Sequence, residues 1–313
     1  MSALSRPEFH DEAKAFEHLE RIIWGDEVSC PHCGGLERIT KVKANVEKRI
    51  RLGLWRCGDC KKQFTVKVGT VFEHARIPLN KMLQAVYLMT SSKKGVSSHQ
   101  LHRILEITYK SAWFLTHRIR EAMRSGDLRP FGGNGGVVEA DETFIGREPG
   151  TVVKGGGITH KMKVLSLVDR STGRARSMVI DNVNTVTIKP ILLENIAREA
   201  YFMSDEASHY KRLGGMFDRR ARVNHAAREY VNLQDREIHT NTIEGFFSIF
   251  KRGMKGVYQH CGKKHLHRYL AEFDFRYSNR AALGVNDSAR SVEALKGISG
   301  KRLTYRRPDE AIN

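Results

Sequence analysis

Four cysteines form two pairs, Cys30 with Cys33 and Cys57 with Cys60, and each pair encloses two residues. Paired cysteines at this spacing provide four thiolates that can surround one zinc ion tetrahedrally. Glycine and proline lie within or beside both pairs, which lets the backbone turn tightly around an ion. Because the protein would fill all four positions, we expect a structural zinc site rather than a catalytic one.

Two aspartates farther along the chain are candidates for a different chemistry. Asp141 lies within Val137 to Ile145, a stretch whose residue types favour a β-strand. Aspartate is disfavoured in the middle of a strand, and such exceptions are often functional. Asp205 ends a short apolar run, where its alternative role is to cap the next helix, with Ser208 as a competitor. Carboxylate oxygens suit hard cations such as Mg²⁺.

Glu244 has two interpretations that the local sequence leaves open. Asn241, followed three residues later by Glu244, is similar to a capping box, in which the glutamate serves only the start of a helix. Lys251 lies seven residues after Glu244, and two helical turns would place this acid and a phosphate-seeking cation on one face. Asn241 shares that face. The offset to Lys251 favours a functional role for this segment.

The chain is strongly basic, with 53 Lys and Arg against 35 Asp and Glu and a net charge of +18 over 313 residues. This length and the 40% hydrophobic content allow two or three domains with a substantial core. The sequence contains no run of 18 apolar residues, so we expect a soluble, cytoplasmic protein without a membrane span. Basic charge fits nucleic acid and anionic membranes equally well, and a motif is needed to decide.

The elements of the first half suit nucleic-acid binding. Apolar periodicity predicts a helix over Glu12 to Trp24, and short apolar runs between Ile39 and Phe64 predict the antiparallel strands of a zinc ribbon. Ser97 or Ser98 would start one helix and Thr108 another, which outlines a helix-turn-helix. The second helix carries polar side chains that could meet phosphates and base edges: Lys110, Ser111, His117, Arg118 and Arg120. A plain three-helix packing unit is the alternative.

A glycine-rich segment, Arg129 to Gly136, marks a boundary before a second domain. Strands are predicted at 137–145, at 163–169 and around 177–180, followed by a helix over 185–198 that Pro190 interrupts and a strand at 201–204. This succession predicts a mixed sheet flanked by helices, and ligand-holding carboxylates are expected at its strand ends.

Together these residues resemble those of bacterial insertion-sequence transposases that carry a zinc ribbon before a DDE-type, RNase H-like catalytic domain. The resemblance extends over nearly the whole chain and depends on several motifs in combination. These are Cys30-x2-Cys33, Cys57-x2-Cys60, Phe64-Thr65, Gly69-Thr70-Val71-Phe72, Glu139-Ala-Asp141-Glu-Thr, Ser204-Asp205-Glu206, His239-Thr-Asn241-Thr-Ile-Glu244-Gly-Phe-Phe-Ser, Lys251-Arg252-Gly253, and His265 to Tyr277.

The resemblance implies a multidomain α/β protein. Its expected parts are an N-terminal helix and zinc ribbon (1–75), a helix-turn-helix domain (76–128), an RNase H-like mixed-sheet catalytic domain (137–280) and a C-terminal tail (281–313). It also implies that Asp141 and Asp205 are the first two ligands of two catalytic Mg²⁺ ions, for which Mn²⁺ could substitute. The third ligand would lie between Asn241 and Glu244. We favour Glu244 because of its offset to Lys251, and Asn241 is the close second.

The implied activity is DNA strand cleavage followed by 3′-hydroxyl strand transfer at the ends of an insertion sequence. The expected partners are double-stranded DNA (terminal inverted repeats and target), other copies of the chain, and the bacterial nucleoid. Lys251, Arg252 and Lys255 would contact the DNA backbone near the catalytic centre. Two alternatives remain: a zinc-ribbon DNA-binding regulator derived from a transposase and lacking catalysis, and a zinc-ribbon nuclease that processes RNA.

Overall fold

The computed structural model describes residues 2–152, 157–212, 215–223, 231 and 235–304. The chain divides into two compact units. Unit 1 comprises Met1–Ser92, Val96–Arg124 and Val285–Asn313, and unit 2 comprises Lys93–Gly95 and Ser125–Gly284. No helix among the described residues is both long and apolar enough to cross a membrane.

Unit 1 combines a small antiparallel sheet with five helices among its described residues. The elements are α1 (Glu12–Trp24), β1 (Ile39–Lys41), β2 (Trp55–Cys57), β3 (Gln63–Phe64), α2 (Leu79–Ser91), α3 (Ser98–Leu105), α4 (Tyr109–Met123) and α9 (Asp287–Lys296). The three strands are ordered β1-β2-β3. Glu20 of α1 ties this sheet to the helix, because its carboxylate accepts hydrogen bonds from Trp55 Nε1 (2.8 Å) and Lys41 Nζ (2.9 Å).

The helix starts of unit 1 follow the capping residues that the sequence contains. Ser97 accepts a hydrogen bond from Gln100 N (3.1 Å) at the start of α3, and Thr108 accepts one from Ser111 N (3.2 Å) at the start of α4. These contacts satisfy amides that the first helical turn leaves without backbone partners. The C-terminal helix α9 belongs to the same unit and packs against α2, where Arg290 donates to Thr90 O (3.1 Å).

Unit 2 is built on a five-stranded mixed sheet. Its described elements are β4 (Val137–Ile145), β5 (Met162–Asp169), β6 (Arg174–Ile180), α5 (Thr185–Asn195), β7 (Tyr201–Asp205), α6 (Ser208–Lys211), β8 (Arg219–Val223), α7 (Asn241–Gly253), a π-helical turn (Met254–Tyr258) and α8 (Lys263–Ser278). The strand order is β6-β5-β4-β7-β8, antiparallel from β6 to β4 and parallel from β4 to β8. This mixed sheet confirms the predicted fold class.

Each face of the sheet carries its own apolar core. Alternate residues of β4 point to opposite faces. Val138 and Ala140 belong to the core that includes Ile188 of α5 and Tyr210 of α6. Ile145 belongs to the other core, formed with residues of α7 and α8. Glu139 and Asp141, which have the same parity as Ile145, therefore lie on the side of the sheet that α7 covers.

Two glycines of α7 differ in the space around them, which gives a test of this packing. Replacing a helical glycine by alanine ordinarily stabilises a protein by about 0.5–1 kcal/mol. A Cβ at Gly253 would lie 2.6 Å from Lys94 O and 2.4 Å from Phe273 Cζ, whereas one at Gly245 would meet nothing within 4 Å. We expect Gly253→Ala to lower the free energy of unfolding, measured by urea denaturation, and Gly245→Ala to raise it. Equal stabilisation by both changes would contradict the packing of α7.

Candidate functional site

The four predicted zinc ligands converge in unit 1. Their sulfur atoms all lie within 4.8 Å of one another, with Cys30 Sγ 3.7 Å from Cys60 Sγ and Cys33 Sγ 3.6 Å from Cys57 Sγ. Four sulfurs placed tetrahedrally at about 2.3 Å from a zinc ion would lie about 3.8 Å apart. The cluster therefore fits one structural zinc ion closed off by four thiolates.

The surroundings of the cluster favour a thiolate at Cys57 and hold the ribbon together. Backbone amides of Cys60 and Asp59 donate towards Cys57 and lower the pKa of its thiol to about 7. Trp24 packs edge-on against both Trp55 and Phe64, with ring centroids 5.9 Å apart in each pair. This small aromatic core leaves much of the ribbon exposed, so we expect metal binding to supply a large part of its folding free energy.

The register of the parallel strands β4 and β7 gives Asp141 and Asp205 equivalent positions along neighbouring strands. The parallel pair β4–β7 aligns Glu139 with Met203. Asp141 and Asp205 each lie two residues beyond this last aligned pair, on the carboxyl-terminal side of adjacent strands. Asp205 has the parity of Met203, and both aspartates therefore lie on the face that α7 covers. Asp205 Oδ1 accepts a hydrogen bond from Ala207 N (3.0 Å), which is an Asx turn rather than a helix cap.

The acidic side chains influence one another. Burial and the negative charges of Glu142, Asp205 and Glu244 together raise the pKa of Asp141 to about 8, against a lowering hydrogen bond from Glu142 N. Asp141 thus lies within electrostatic range of both other predicted ligands. Among the described residues, the four cysteines are the only group of potential ligands within 4.8 Å of one another, so the carboxylates stand farther apart than the thiols.

Glu142 points to the opposite face of the sheet and has partners there. Its Oε1 accepts hydrogen bonds from Tyr210 Oη (2.6 Å) and His209 Nε2 (3.2 Å). Burial by itself would lower the pKa of His209, but the hydrogen bond to Glu142 and the nearby negative charges raise it overall. Glu142 therefore belongs to the α6 side, as the period of two along the strand predicts.

A buried carboxylate of β4 anchors the start of α7. Glu139 is 0% exposed, and its Oε2 accepts a hydrogen bond from Ile243 N (2.8 Å) in the first turn of α7. Its Oε1 accepts from Arg170 Nε, and Arg170 also donates to His239 Nδ1 (2.7 Å) and to Glu237 O (2.6 Å). We call Glu139, Arg170 and His239 the α7 anchor. A carboxylate near a helix N-terminus also interacts favourably with the helix dipole.

This anchor argues against the capping-box interpretation of Glu244. The residue before α7 is Thr240, not Asn241, and the third amide of the helix is bound by Glu139. A capping box would require the glutamate at the third helical position, which Ile243 occupies. Glu244 is the fourth residue of α7, and its negative charge contributes to the raised pKa of Asp141, whereas the side chain of Asn241 is exposed.

The predicted DNA-contacting residues divide into two groups. Lys251, Arg252 and Lys255 are exposed in the last turn of α7 and just beyond it, and Lys110 is exposed and Ser111 partly exposed at the start of α4. His117 and Arg118 are only 1% and 8% exposed. Both side chains are buried in this structure, and their contact with DNA stays a prediction. Arg118 donates to Glu73 O (2.9 Å) and lies over the Phe114 ring, which stabilises unit 1.

Sequence reasoning missed the role of Glu139. The available signal was a second acid in the same strand, two residues before Asp141 and therefore on the same face. Its partners Arg170 and His239 come from a turn and a loop, and no local pattern links them to the strand.

The zinc site gives a quantitative prediction. We expect about one zinc ion per chain by elemental analysis of the purified protein, and its loss in Cys57→Ser, because three thiolates hold the ion much less tightly than four. The variant should also lose a cooperative part of its thermal unfolding transition. Cys261→Ser is the matched control, since Cys261 lies in unit 2 outside the cluster. Retention of a full equivalent of zinc by Cys57→Ser would refute the four-thiolate site.

The α7 anchor gives a prediction of stability. Glu139→Gln removes the negative charge that Arg170 pairs with inside the protein, and breaking a buried ion pair costs about 3–5 kcal/mol. Because Arg170 retains some exposure, we expect the lower end of this range by urea denaturation. The control is Asp218→Asn, which breaks an exposed pair with Arg198 and should change stability by about 0–1 kcal/mol. Equal effects would contradict the anchor.

Comparisons with known proteins agree with this architecture. The family model of the ISXO2-like transposase domain matches residues 134–278, and that of the transposase zinc-ribbon domain matches residues 10–63. The chain is also 28% identical over 291 residues to a protein in transposable element ISH50 of Halobacterium salinarum, covering 86% of this chain and 91% of that one. The match to the ISXO2-like transposase domain contains Asp141, Asp205 and Glu244, and the match to the zinc-ribbon domain contains all four clustered cysteines. The chain is therefore similar to a transposase zinc ribbon over residues 10–63 and to an ISXO2-like transposase domain over residues 134–278.

Proposed function

We propose that this chain cleaves DNA at the ends of an insertion sequence and transfers the freed 3′-hydroxyl to target DNA. The observation that carries the proposal is the alignment of Asp141 with Asp205 on neighbouring parallel strands, with Glu244 facing them from α7. Three carboxylates on one face of a transposase-family domain are the residues that this reaction requires.

The chemistry of these side chains fits magnesium. All three offer carboxylate oxygens, which hard divalent cations prefer, and repulsion from Asp205 and Glu244 adds to the burial that raises the pKa of Asp141. A cation bound between them would relieve that repulsion. When bound, two Mg²⁺ ions would activate the attacking oxygen, neutralise charge on the phosphate and stabilise the leaving oxygen. Asp141, Asp205 and Glu244 would hold them, and Mn²⁺ has similar ligand preferences.

The residues of the chain have separate roles in this proposal. The α7 anchor fixes the first turn of α7 against β4, which would hold the carboxylate of Glu244 on the same side of the sheet as Asp141. Lys251 lies seven residues later, about 10 Å along the helix, where it would bind a DNA phosphate next to the reacting one. We keep Glu244 as the third ligand and Asn241 as the second candidate.

We further propose that unit 1 recognises the terminal inverted repeats. The ribbon strands and the pair α3–α4 present exposed basic and polar side chains, including Lys110, and short helix pairs of this kind place their second helix in the major groove. We expect several copies of the chain to act together on paired ends, within the cytoplasm where the nucleoid lies. A regulator without catalysis would bind the same repeats but leave them uncut.

A nicking assay tests the proposal and separates these alternatives. A supercoiled plasmid carrying the ends that flank this gene, incubated with the protein and Mg²⁺, should be cut at defined positions. We expect Asp141→Asn, Asp205→Asn and Glu244→Gln each to lower the cleavage rate by at least about 100-fold, because each removes a charged metal ligand. Asn241→Ala should retain more activity than Glu244→Gln.

The same assay contains its controls. Asp218→Asn makes the same chemical change at an exposed position and should leave the rate unchanged. Repeat binding without cleavage by the wild-type protein would favour the regulator, and preferential cleavage of RNA would favour the RNA-processing nuclease. If Glu244→Gln cleaves normally and Asn241→Ala is inactive, the third metal ligand would be assigned to Asn241 instead of Glu244.

A further inference from the structure

Helix α5 carries apolar residues on two opposite sides. Its inner side contributes Ile188 and Leu192, both 0% exposed, to the core on the face of the sheet opposite α7. Its outer side carries Val186, Pro190 and Leu193, all exposed, with Val186 84% and Leu193 52% exposed. A helix at a protein surface ordinarily has polar residues on its outer side. These three outer residues, which we call the α5 stripe, therefore form an apolar surface that no described element covers.

The spacing of the α5 stripe is that of a helix that pairs with another helix. Steps of four and then three residues, from Val186 to Pro190 and on to Leu193, correspond to positions d, a and d of a heptad. Residues at these positions form the seam along which two helices pack. The flanking positions g and e are occupied by Lys189 and Glu194, which are both exposed and have opposite charges.

These two charges indicate which partner fits the stripe and in which orientation. In a pair of parallel helices, position g of one helix faces the following position e of the other. Two copies of α5 related by a twofold axis parallel to the helices would therefore form two Lys189–Glu194 ion pairs. An antiparallel pair would instead place the two lysines on one side of the seam and the two glutamates on the other. Charge complementarity thus favours a second copy of this chain in the parallel orientation.

We propose that the α5 stripe joins two copies of this chain through a parallel pair of α5 helices. The apolar side chains would meet at the twofold axis, with the two ion pairs beside them. Because α5 and α7 pack on opposite faces of the sheet, the acidic face of each copy would point away from the contact and stay open to DNA. The inference rests on the proposed function for its purpose, since several copies are expected to act on paired ends, but the contact itself needs neither DNA nor metal.

The proposed contact is small. Specific interfaces commonly bury about 1,200–2,000 Å² in total, and one helix of 11 residues from each copy provides less than this. We therefore expect a weak, concentration-dependent dimer in the absence of DNA. Two copies that bind the same pair of DNA ends are held at a high effective concentration, so the contact should strengthen there.

Cross-linking of introduced cysteines tests the pair in the full-length, zinc-loaded protein. Cys261→Ser is the parent, so that only the four clustered cysteines of the native chain remain. Position d lies close to the axis of a parallel pair, so adding Leu193→Cys should give a disulfide-linked dimer on a non-reducing gel after mild oxidation with glutathione disulfide. Glu194→Cys, on the flank of the seam, and Leu128→Cys, at an 81% exposed position outside α5, should stay monomeric. No more dimer in Leu193→Cys than in Leu128→Cys would overturn the proposal.

Charge reversal tests the ion pairs by sedimentation equilibrium. Lys189→Glu would place glutamates opposite each other and should lower the association constant at least about fivefold, and adding Glu194→Lys should restore it. Leu193→Lys should lower it at least about tenfold, because it puts a charge into the apolar seam. Leu128→Lys, the matched control, should leave association unchanged, and all four variants should keep the parent melting temperature because these side chains are exposed. Failure of the double reversal to restore association would refute the parallel orientation.

The outcome is separable from that of the nicking assay. A cross-linked Leu193→Cys dimer in a protein that does not cut the plasmid would sustain the α5 pair and refute the transposase activity, whereas plasmid cleavage without the cross-link would do the reverse. Association that Leu193→Lys abolishes, but that gives no disulfide in Leu193→Cys, would mean that the stripe binds a different surface of the second copy, and it would overturn the pairing of α5 with itself.

Discussion

The hydrogen bond between Glu139 and the first turn of α7 is the contact on which the proposed site depends. Asp141 and Asp205 come from adjacent strands, and the sheet fixes their separation without help. Glu244 comes from a helix about 100 residues later in the chain, and the residues just before that helix belong to an irregular segment. A buried carboxylate that binds both Ile243 N and Arg170 couples this helix to the strand that carries Asp141. The position of Glu244, the proposed third ligand, therefore depends on Glu139, which lies two residues before Asp141, the proposed first ligand.

This arrangement places five acids on two neighbouring strands and one helix, which is unfavourable unless their charges are compensated. Two of them, Glu139 and Glu142, have protein partners: Arg170 on one face, and His209 with Tyr210 on the other. Asp141 receives only the amide of its own neighbour among the contacts described, and its pKa rises to about 8. Glu139 and Glu142 are thus compensated by protein groups. At Asp141, a bound cation would relieve the repulsion from the neighbouring negative charges.

Local sequence patterns predicted helices, strands and helix caps correctly where one short segment contained the whole pattern. The helix over Glu12–Trp24, the strand over Val137–Ile145 and the caps at Ser97 and Thr108 are where periodicity and capping chemistry place them. Strand β8 was not predicted, because its sequence is dominated by arginines and is typical of a solvated segment until β7 provides its partner. The burial of His117 and Arg118 was missed for a related reason. The sequence of α4 contains polar residues on every side, and only tertiary contacts decide which of them face solvent.

In the candidate site, too, the sequence predicted the features that a local pattern determines and missed those that tertiary contacts determine. The types and spacing of the cysteines predicted their cluster, because a metal site of four thiolates needs little beyond two tight turns. Asp141 was recognisable as an acid in a strand interior, but its alignment with Asp205 requires the register of β4 and β7, which lie about 60 residues apart in the chain. The residue that precedes α7 is Thr240 rather than Asn241, and Glu139 binds the third amide of the helix, whereas no rule for local capping includes an acceptor from a distant strand.

The two proposed metal sites of this chain differ in their donor atoms, and each is therefore selective for a different ion. The cysteine cluster offers four soft sulfur ligands at nearly the spacing that a tetrahedral zinc ion requires, and it leaves no position for a substrate. The acidic site offers hard oxygen ligands that stand farther apart and come from three separate elements. Mg²⁺ binds thiolates poorly and retains water in a site of few carboxylates, so each ion is selected by its donor atoms. The zinc site can therefore be filled during folding, while the acidic site keeps positions open for water and for the phosphate of a DNA strand.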